Sequence, residues 1–554
     1  MTRLKKADEM TSKPLKLPIG IQTFGIIRTE GYLYVDKTKY LVDLIDNGRI
    51  YFMSRPRRFG KSLTVSTFDA LFSGKKELFR GLYAEEFTNR PDYKTYPVVR
   101  LDMSDLTVDM GPDVLRASML ARVKENGERL GVKIGDAAPG DAFSALLKNT
   151  AQRHRSQTVL LIDEYDSPIL QHVSDHPRIE KIREILKNFY VRIKAADEYL
   201  RFVFMTGISK FSKMGVFSAL NNLEDISTDN AFAAMLGYTE EELLSNFDGY
   251  LDKTALTLEM SKEDLIARIR DYYDGFSFDG KTRLYNPFSA LNFFKKREFL
   301  NFWFESGTPS FLADYVKRHD LEAENFRGFP TDDEFAMNAE IEHAPPESFL
   351  FQSGYLSIRE KIGRKLILDY PNMEVMSSVS KLFLREKFEI PGAGFATAEL
   401  EESLARGDAE SIVKTYNALL ASLPYDIYER ETRKYDAEHA KTGASAVPYA
   451  ESFFHALLFS MLWSSRVNTT AENHGYKGRS DIEAEKNGYC YVIELKAADG
   501  KEASEKAAEA AMRQIREKGY ADKHAQNAQK NVTLLGLAVD KKARRVERAV
   551  IERL

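Results

Sequence analysis

Two groups of residues in this chain combine types and spacings that could do chemistry. The first is Arg55-Pro56-Arg57-Arg58-Phe59-Gly60-Lys61-Ser62-Leu63. It follows an apolar run, Ile50-Tyr51-Phe52-Met53, and leads into a helix-like stretch from Leu63 to Phe72. A strand, a tight loop and a helix N-terminus make an anion site, because the first turn leaves N–H groups free and carries partial positive charge. Gly60 lets the backbone approach a phosphate closely. Lys61 would reach the terminal phosphates and the Ser62 hydroxyl would ligate Mg2+. The full phosphate-loop pattern has a glycine where this chain has Arg55. A positive φ there would cost Arg about 1 kcal/mol, so the loop is expected to enter by another path, which Pro56 restricts further. Arg57 and Arg58 either contact phosphates in compensation or are solvated.

A second signal supports this Walker A-like loop. Thr158 to Ile162 is an apolar strand ending in Asp163-Glu164, the form of a Walker B element. Asp163 is expected in the Mg2+ shell, and Glu164 as the catalytic group that polarises the attacking water. A third strand, Phe202 to Thr206, ends in a hydroxyl suited to sensing a γ-phosphate. The expected nucleotide-binding residues are therefore Arg57, Arg58, Phe59, Gly60, Lys61, Ser62, Leu63, Asp163 and Thr206, with ATP and Mg2+ as ligands.

The other group is Asp481, Glu494 and Lys496. Asn487-Gly488 is a type I′ turn signal, and a two-residue loop there pairs Lys486 with Tyr489. Counting back pairs Asp481 with Glu494, and opposite residues share a face. Lys496 lies two residues on and shares it too. Two adjacent carboxylates repel unless a cation lies between them, and Mg2+ would supply one. Lys496 would then orient a water or stabilise a developing negative charge. The alternative is an ordinary polar hairpin face with an ion-pairing lysine.

These residues need elements to hold them. Strand-like segments Ile50–Met53, Val98–Asp102, Thr158–Ile162 and Phe202–Thr206 alternate with helix-like ones, including Gly111–Leu130 and Ile179–Ala195, which predicts an α/β domain on a parallel sheet over 1–228. A mostly helical lid or connector is expected over 229–375, with helices at Thr239–Asn246 and Lys262–Tyr273 and a hairpin formed by Phe349–Ile358 and Lys365–Asp369. Residues 376–554 read as a linker-like stretch at Glu389–Thr397, further helices, and a final domain with its core at 445–554, ordered helix, strand, strand, helix, strand. The helix Ala503–Lys518 ends at Gly519 as a C-cap. Apolar content of 43%, charged content of 29% and a net charge of -4 describe a folded, slightly acidic protein. They exclude a global electrostatic funnel for nucleic acid and leave room for a local patch. The basic bias of Lys496–Leu554 is explained equally by a solvated helix face. With Cys490 the one cysteine, disulfides and cysteine zinc sites within the chain are excluded, which suits a reducing cytoplasm. The N-terminal Met1–Leu17 lacks the apolar core of a signal peptide. The apolar run Phe453–Trp463 is too short to span a bilayer, so it reads as a buried helix and no membrane partner is expected.

Three further stretches, read with the phosphate loop, carry a resemblance: Leu17-Pro18-Ile19-Gly20-Ile21-Gln22, Tyr34-Val35-Asp36-Lys37-Thr38 and Tyr285-Asn286-Pro287-Phe288-Ser289. With Tyr273-Asp274-Gly275-Phe276, Phe351-Gln352-Ser353-Gly354-Tyr355-Leu356 and Tyr370-Pro371-Asn372 they extend it over nearly the whole chain. The chain resembles bacterial AAA-ATPase-like proteins, a family that typically pairs this module with a C-terminal PD-(D/E)XK nuclease-like domain. Arg55 is similar to that family's own pattern. The resemblance implies that Asp481 and Glu494 are metal ligands, that Lys496 is the catalytic lysine, and that Glu451 completes the metal shell. Gln514 matches a glutamine that some of these nucleases use, whereas Tyr520 departs from their Gln-x-x-x-Tyr spacing. His455, one turn after Glu451, reads first as a hydrogen-bonded helix histidine. Three functions stay open: an ATP-regulated, Mg2+-dependent nuclease acting on nucleic acid, DNA above all, in defence or for mobile elements; a non-enzymatic ATP-dependent switch or scaffold with an inactive nuclease fold; and an ATPase whose tail only grips DNA. Homo-oligomerisation is open too, since an arginine finger ordinarily acts across an interface.

Overall fold

The computed structural model describes residues 15–108, 111–172, 175–210, 223–305, 326–332, 335, 345–433, 449–475, 478–525 and 531–554. Most of the N-terminal stretch read for a signal peptide lies outside them. The chain divides into two compact units. One runs to Ser306 and includes Gly328–Asn372; the other is Met373–Leu554 with a short stretch ending at Arg327.

The first unit is built on a five-stranded parallel sheet, β1 (Ile50–Ser54), β2 (Val98–Asp102), β3 (Thr158–Asp163), β4 (Leu200–Gly207) and β5 (Glu224–Asp225), in the order β2-β3-β4-β1-β5. The central strands are buried on both faces, which is why they read as continuous apolar runs. Aromatic packing welds helices to this sheet: Phe68, on the helix Lys61–Phe72, lies 5.2 Å from Phe202 and 4.9 Å from Phe204 between ring centroids. Of the stretch 229–375 read as a lid or connector, the parts up to Ser306 and Gly328–Asn372 group with this unit. Its helices Glu240–Asn246, Lys262–Tyr273 and Pro287–Lys296 are each started by a side-chain N-cap, Thr239, Ser261 and Asn286.

The expected hairpin beginning at Phe349 is corrected. Pro346–Ser353 is a helix, with Pro at its N-terminus and Gly354 in the left-handed region at its end. A short apolar run such as Phe349-Leu350-Phe351 fits either state. The hairpin starts later, as β7 (Ser357–Ile362) and β8 (Lys365–Asp369), and β6 (Phe329–Asp332) joins it in the order β6-β8-β7.

The second unit holds the helices Met373–Glu386, Ala393–Leu404 and Glu410–Ser422, then Tyr449–Ser464 and a mixed sheet. The linker-like stretch is shorter than expected, since the helix begins at Ala393 and buries Thr397. The sheet comprises β9 (Asn468–Gly475), β10 (Gly478–Lys486), β11 (Tyr489–Ala498), β12 (Asn531–Asp540) and β13 (Arg545–Arg553), in the order β13-β12-β11-β10-β9. β11 and β12 run parallel and the other pairs antiparallel. β9 and β13 are edge strands that the sequence pattern did not separate, because edges tolerate charge and polar residues. The helix Lys501–Lys518 packs Met512 and Ile515 onto Cys490, Val492, Val532 and Leu534.

Candidate functional site

In a parallel sheet all strands end at one rim, and ligands gather in the crevice beyond it. β4 lies between β1 and β3, with Thr206 beside Met53 and Met205 beside Ile162. Thr206 therefore reaches Asp163. Its hydroxyl donates to Asp163 Oδ1 at 2.6 Å, and both residues are fully buried. Asp163 Oδ2 is buried without a hydrogen-bond partner among the described residues. A buried carboxylate oxygen left unpaired is costly unless a cation or water meets it, so this donor fits a hard divalent ion. Thr206, expected to sense phosphate, is here committed to orienting Asp163.

The Arg55–Ser62 loop follows an unusual path. Left-handed backbone occurs at Arg58 (φ 67°) and Gly60 (φ 99°), not at Arg55. Arg55 turns inward and is almost wholly buried. Its guanidinium donates to Ser54 O at 2.9 Å and Ser227 O at 2.6 Å, and lies 4.2 Å from the centroid of the Phe278 ring. Burial pushes its pKa down to about 10, against the pull of Asp225 and Asp279. The residue in the missing glycine's place thus ties the loop to the strand ends beneath it. Lys61 Nζ donates to Arg55 O at 3.0 Å and Pro56 O at 3.1 Å, and lies 3.9 Å from Glu164 Oε1. Its ammonium sits inside the loop that a phosphate would fill.

Arg57 and Arg58 are exposed, and Arg58 stacks over Phe288 at 4.8 Å. Ser62 and Leu63 are half-buried at the start of the helix. Phe59 turns its ring away from the loop's mouth. The ring is buried against Phe276 and Phe278, which leaves only its backbone to a ligand. Glu164 has a positive φ of 49°. Burial raises its carboxyl above the usual range, with Lys61 opposing the rise, which suits a proton acceptor. Sequence reasoning passed over Asp166. It is fully buried and accepts from Ile208 N, Ser209 N and Ser209 Oγ, the last two at 2.7 Å. It thereby anchors the chain leaving β4. Its place next to Asp163-Glu164 hinted at a role, but its partners come from the chain just after a strand about forty residues on.

In the second unit Asn487 (φ 48°) and Gly488 (φ 81°) form the turn, and the ladder runs from Lys486↔Tyr489 to Ile482↔Ile493. The next position brings Asp481 to Glu494. Leu495 N donates to Asp481 Oδ2 at 2.9 Å, and Asp481 N lies 3.4 Å from Glu494 Oε2. Lys496 Nζ is 3.3 Å from Glu494 Oε1. Glu494 is fully buried, and burial followed by the Asp481 charge pushes its carboxyl up to about 7. Burial works against the Lys496 ammonium, but Glu494, Asp481 and Glu451 outweigh it and raise its pKa.

Glu494 lies beside Gly536 on β12. A Cβ on Gly536 would come within 2.7 Å of Ala508 O and 2.8 Å of Met512 N, so only glycine lets the helix Lys501–Lys518 lie this close. That approach brings the Gln514 amide onto Glu494 Oε1. The helix then ends at Gly519 in the left-handed region, which turns Tyr520 back to place its hydroxyl 3.5 Å from Gln514 Nε2. Tyr520, set aside on spacing, reaches the site by this turn. Glu451 Oε1 accepts from Ala497 N at 3.5 Å, and His455 Nε2 lies 3.1 Å from Asp481 O. Among the described residues no three His, Cys, Asp or Glu side chains converge closely enough to hold a metal. Asp481 and Glu494 converge as a pair, and two neighbouring carboxylates, one buried and reluctant to ionise, fit a hard divalent cation.

Comparison with known proteins gives a family for each of the two domains. The family described as "Predicted AAA-ATPase" matches residues 18–217, and the PD-(D/E)XK nuclease superfamily matches residues 449–549. A relative from Azotobacter chroococcum mcd 1, named "Uncharacterized protein in vnfD 5'region", is 32% identical over 546 residues, covering 97% of this chain and 99% of its own. Among the described residues no helix is long and apolar enough to cross a membrane. A parallel sheet with the Arg55–Ser62 loop at its rim, a mixed sheet carrying Asp481, Glu494 and Lys496, and a relationship that runs end to end together make the chain a member of the AAA-ATPase-like family whose C-terminal domain belongs to the PD-(D/E)XK nuclease superfamily.

Proposed function

We propose that this protein is a cytoplasmic, ATP-regulated nuclease that cleaves nucleic acid, DNA by preference, with Mg2+ at both sites. The observation that carries the reading is the buried Glu494 carboxyl, set against Asp481 and within reach of Lys496 and Gln514. A group pushed to about 7 by its surroundings marks a position where structure has been spent on reactivity rather than stability. Divalent metal bound there would neutralise the two carboxylates and polarise the scissile phosphate. Asp481 and Glu494 are the proposed ligands; Glu451, expected as a third, lies on Ala497 N and adds its negative charge beside Lys496. Lys496 orients the attacking water and offsets charge growing on the phosphate. Gln514 fixes the Glu494 carboxylate.

At the other site Gly60, Lys61, Ser62 and the loop backbone would hold the nucleotide phosphates, with Asp163 and Ser62 as the Mg2+ donors. Glu164 accepts the proton of the attacking water. The test is a cleavage panel on DNA and RNA in which metal and nucleotide are each left out in turn. Metal-dependent cleavage that changes with ATP and is lost in Asp481→Ala is the expected result. Nucleotide binding without cleavage of any substrate would favour the switch reading, and DNA-stimulated ATP turnover without cleavage the gripping one.

A further inference from the structure

We infer that Trp303 and the Gln352–Gly354 turn are positioning residues for the phosphate loop, so that the nucleotide site is completed by chain far beyond residue 217. The inference rests on the nucleotide reading above. Three contacts within the first unit carry it. The Trp303 indole N–H donates to Arg57 O at 3.1 Å, in the middle of the loop. Pro56 lies so close to Gly354 that a Cβ there would sit 2.6 Å from Pro56 Cβ and 3.2 Å from the Trp303 ring. Gln352 accepts a hydrogen bond from Lys210 N, in the segment that Asp166 anchors after β4. Aromatic contacts stiffen the bracket: Trp303 packs on Tyr355 at 5.2 Å and on Phe276 at 5.9 Å, and Phe276 in turn on Phe59 at 5.0 Å.

The bracket answers a specific need. Where a glycine would close the loop tightly, this chain has Arg55 followed by Pro56, which offers no N–H. Arg58 is held in a left-handed conformation that a side chain disfavours. Such a loop keeps its N–H groups aimed at one point only if its surroundings hold it, and affinity depends on that preorganisation. Trp303 ties down the carbonyl between Pro56 and Arg58. Gly354 lets the turn close onto Pro56 from the other side, at a φ of 89° that suits glycine. When phosphate enters, Lys61 would turn from the Arg55 and Pro56 carbonyls, two and one residues before the carbonyl that Trp303 holds. Occupancy would therefore reach Trp303 through the loop backbone it holds at Arg57.

The test uses the full chain, whose two tryptophans are Trp303 and Trp463. A Trp463→Phe background leaves Trp303 as the reporter. ATP with Mg2+ is titrated by emission and by calorimetry, and melting temperature is recorded for every variant. Trp303 emission is expected to change saturably with the calorimetric Kd, and Lys61→Ala to abolish the response. Trp303→Phe keeps a ring but loses the hydrogen bond, and should weaken ATP binding about fivefold while melting within a few degrees of the parent. Gly354→Ala should weaken it tenfold or more. If ATP binds the parent while its emission stays flat, and both variants bind within twofold of it, the inference is overturned and the nucleotide reading stands. If the parent binds no ATP by calorimetry, both fall.

Discussion

Replacing Glu494 with Gln removes a buried group that resists ionisation, and the consequence for stability has a definite sign. The carboxyl titrates near 7 in the folded protein, against an ordinary value of 4.5, because of burial first and Asp481 second. Below pH 4.5 it is protonated in both folded and unfolded chains and contributes no pH dependence. Between 4.5 and 7 the unfolded chain releases the proton while the folded chain keeps it, so the wild type loses stability across that window. Above 7 the penalty is constant. The shift corresponds to about 3 kcal/mol at most. Glu494→Gln has no proton to lose, so in metal-free buffer at pH 8 it should be more stable than wild type by up to about 3 kcal/mol, a gap that closes toward pH 4.5. Mg2+ should stabilise the second unit of the wild type and stabilise that of the variant far less, since a ligand stabilises only the state that binds it. The assay is urea unfolding with EDTA or saturating Mg2+, followed by Trp463 emission in a Trp303→Phe background. Trp463 is buried in the second unit, where its indole donates to Thr469 O. A variant no more stable than wild type at pH 8, or a gap that does not shrink on acidification, would refute the reasoning.

Thr206→Val leaves Asp163 Oδ1 without its buried donor; a stability loss of about 1–3 kcal/mol is expected, together with Mg2+-dependent ATP binding weakened about tenfold, read by calorimetry with and without metal. Asp481→Ala and Lys496→Ala should each lower cleavage at least a hundredfold while ATP affinity stays within twofold, which a paired gel and calorimetric measurement checks. Asp166→Ala strips Ile208 and Ser209 of their shared acceptor. It should cost about 2 kcal/mol in thermal or urea unfolding and weaken ATP binding as the segment after β4 loosens.

Much of both sites was legible because local rules build them. The apolar strands, the Gly60-Lys61-Ser62 turn into a helix, and the Asp163-Glu164 strand end lie in single short segments. The missing strands β9 and β13 carry too many polar residues to show a clear pattern, and Phe349-Leu350-Phe351 reads as strand or helix until Pro346 and Gly354 are given their capping roles. Arg55 stands where the full phosphate-loop pattern has a glycine. Its function lies in the carbonyls of Ser54 and Ser227 and the ring of Phe278, more than 170 residues away along the chain in the case of Ser227.

By itself the sequence determined that Asp481, Glu494 and Lys496 share a face, since a two-residue turn at Asn487-Gly488 and the period of a strand leave no other arrangement. It likewise determined that Lys61 opens a helix behind a glycine. Tertiary structure alone decided what surrounds these groups. β4 is inserted between β1 and β3, and so gives Thr206 to Asp163. Gly536 admits a helix close enough to lay Gln514 on Glu494. Trp303 and Gly354 close on the phosphate loop from far downstream. Turn and strand geometry act over a few residues and can be counted, whereas burial and partner choice depend on which distant segments pack together.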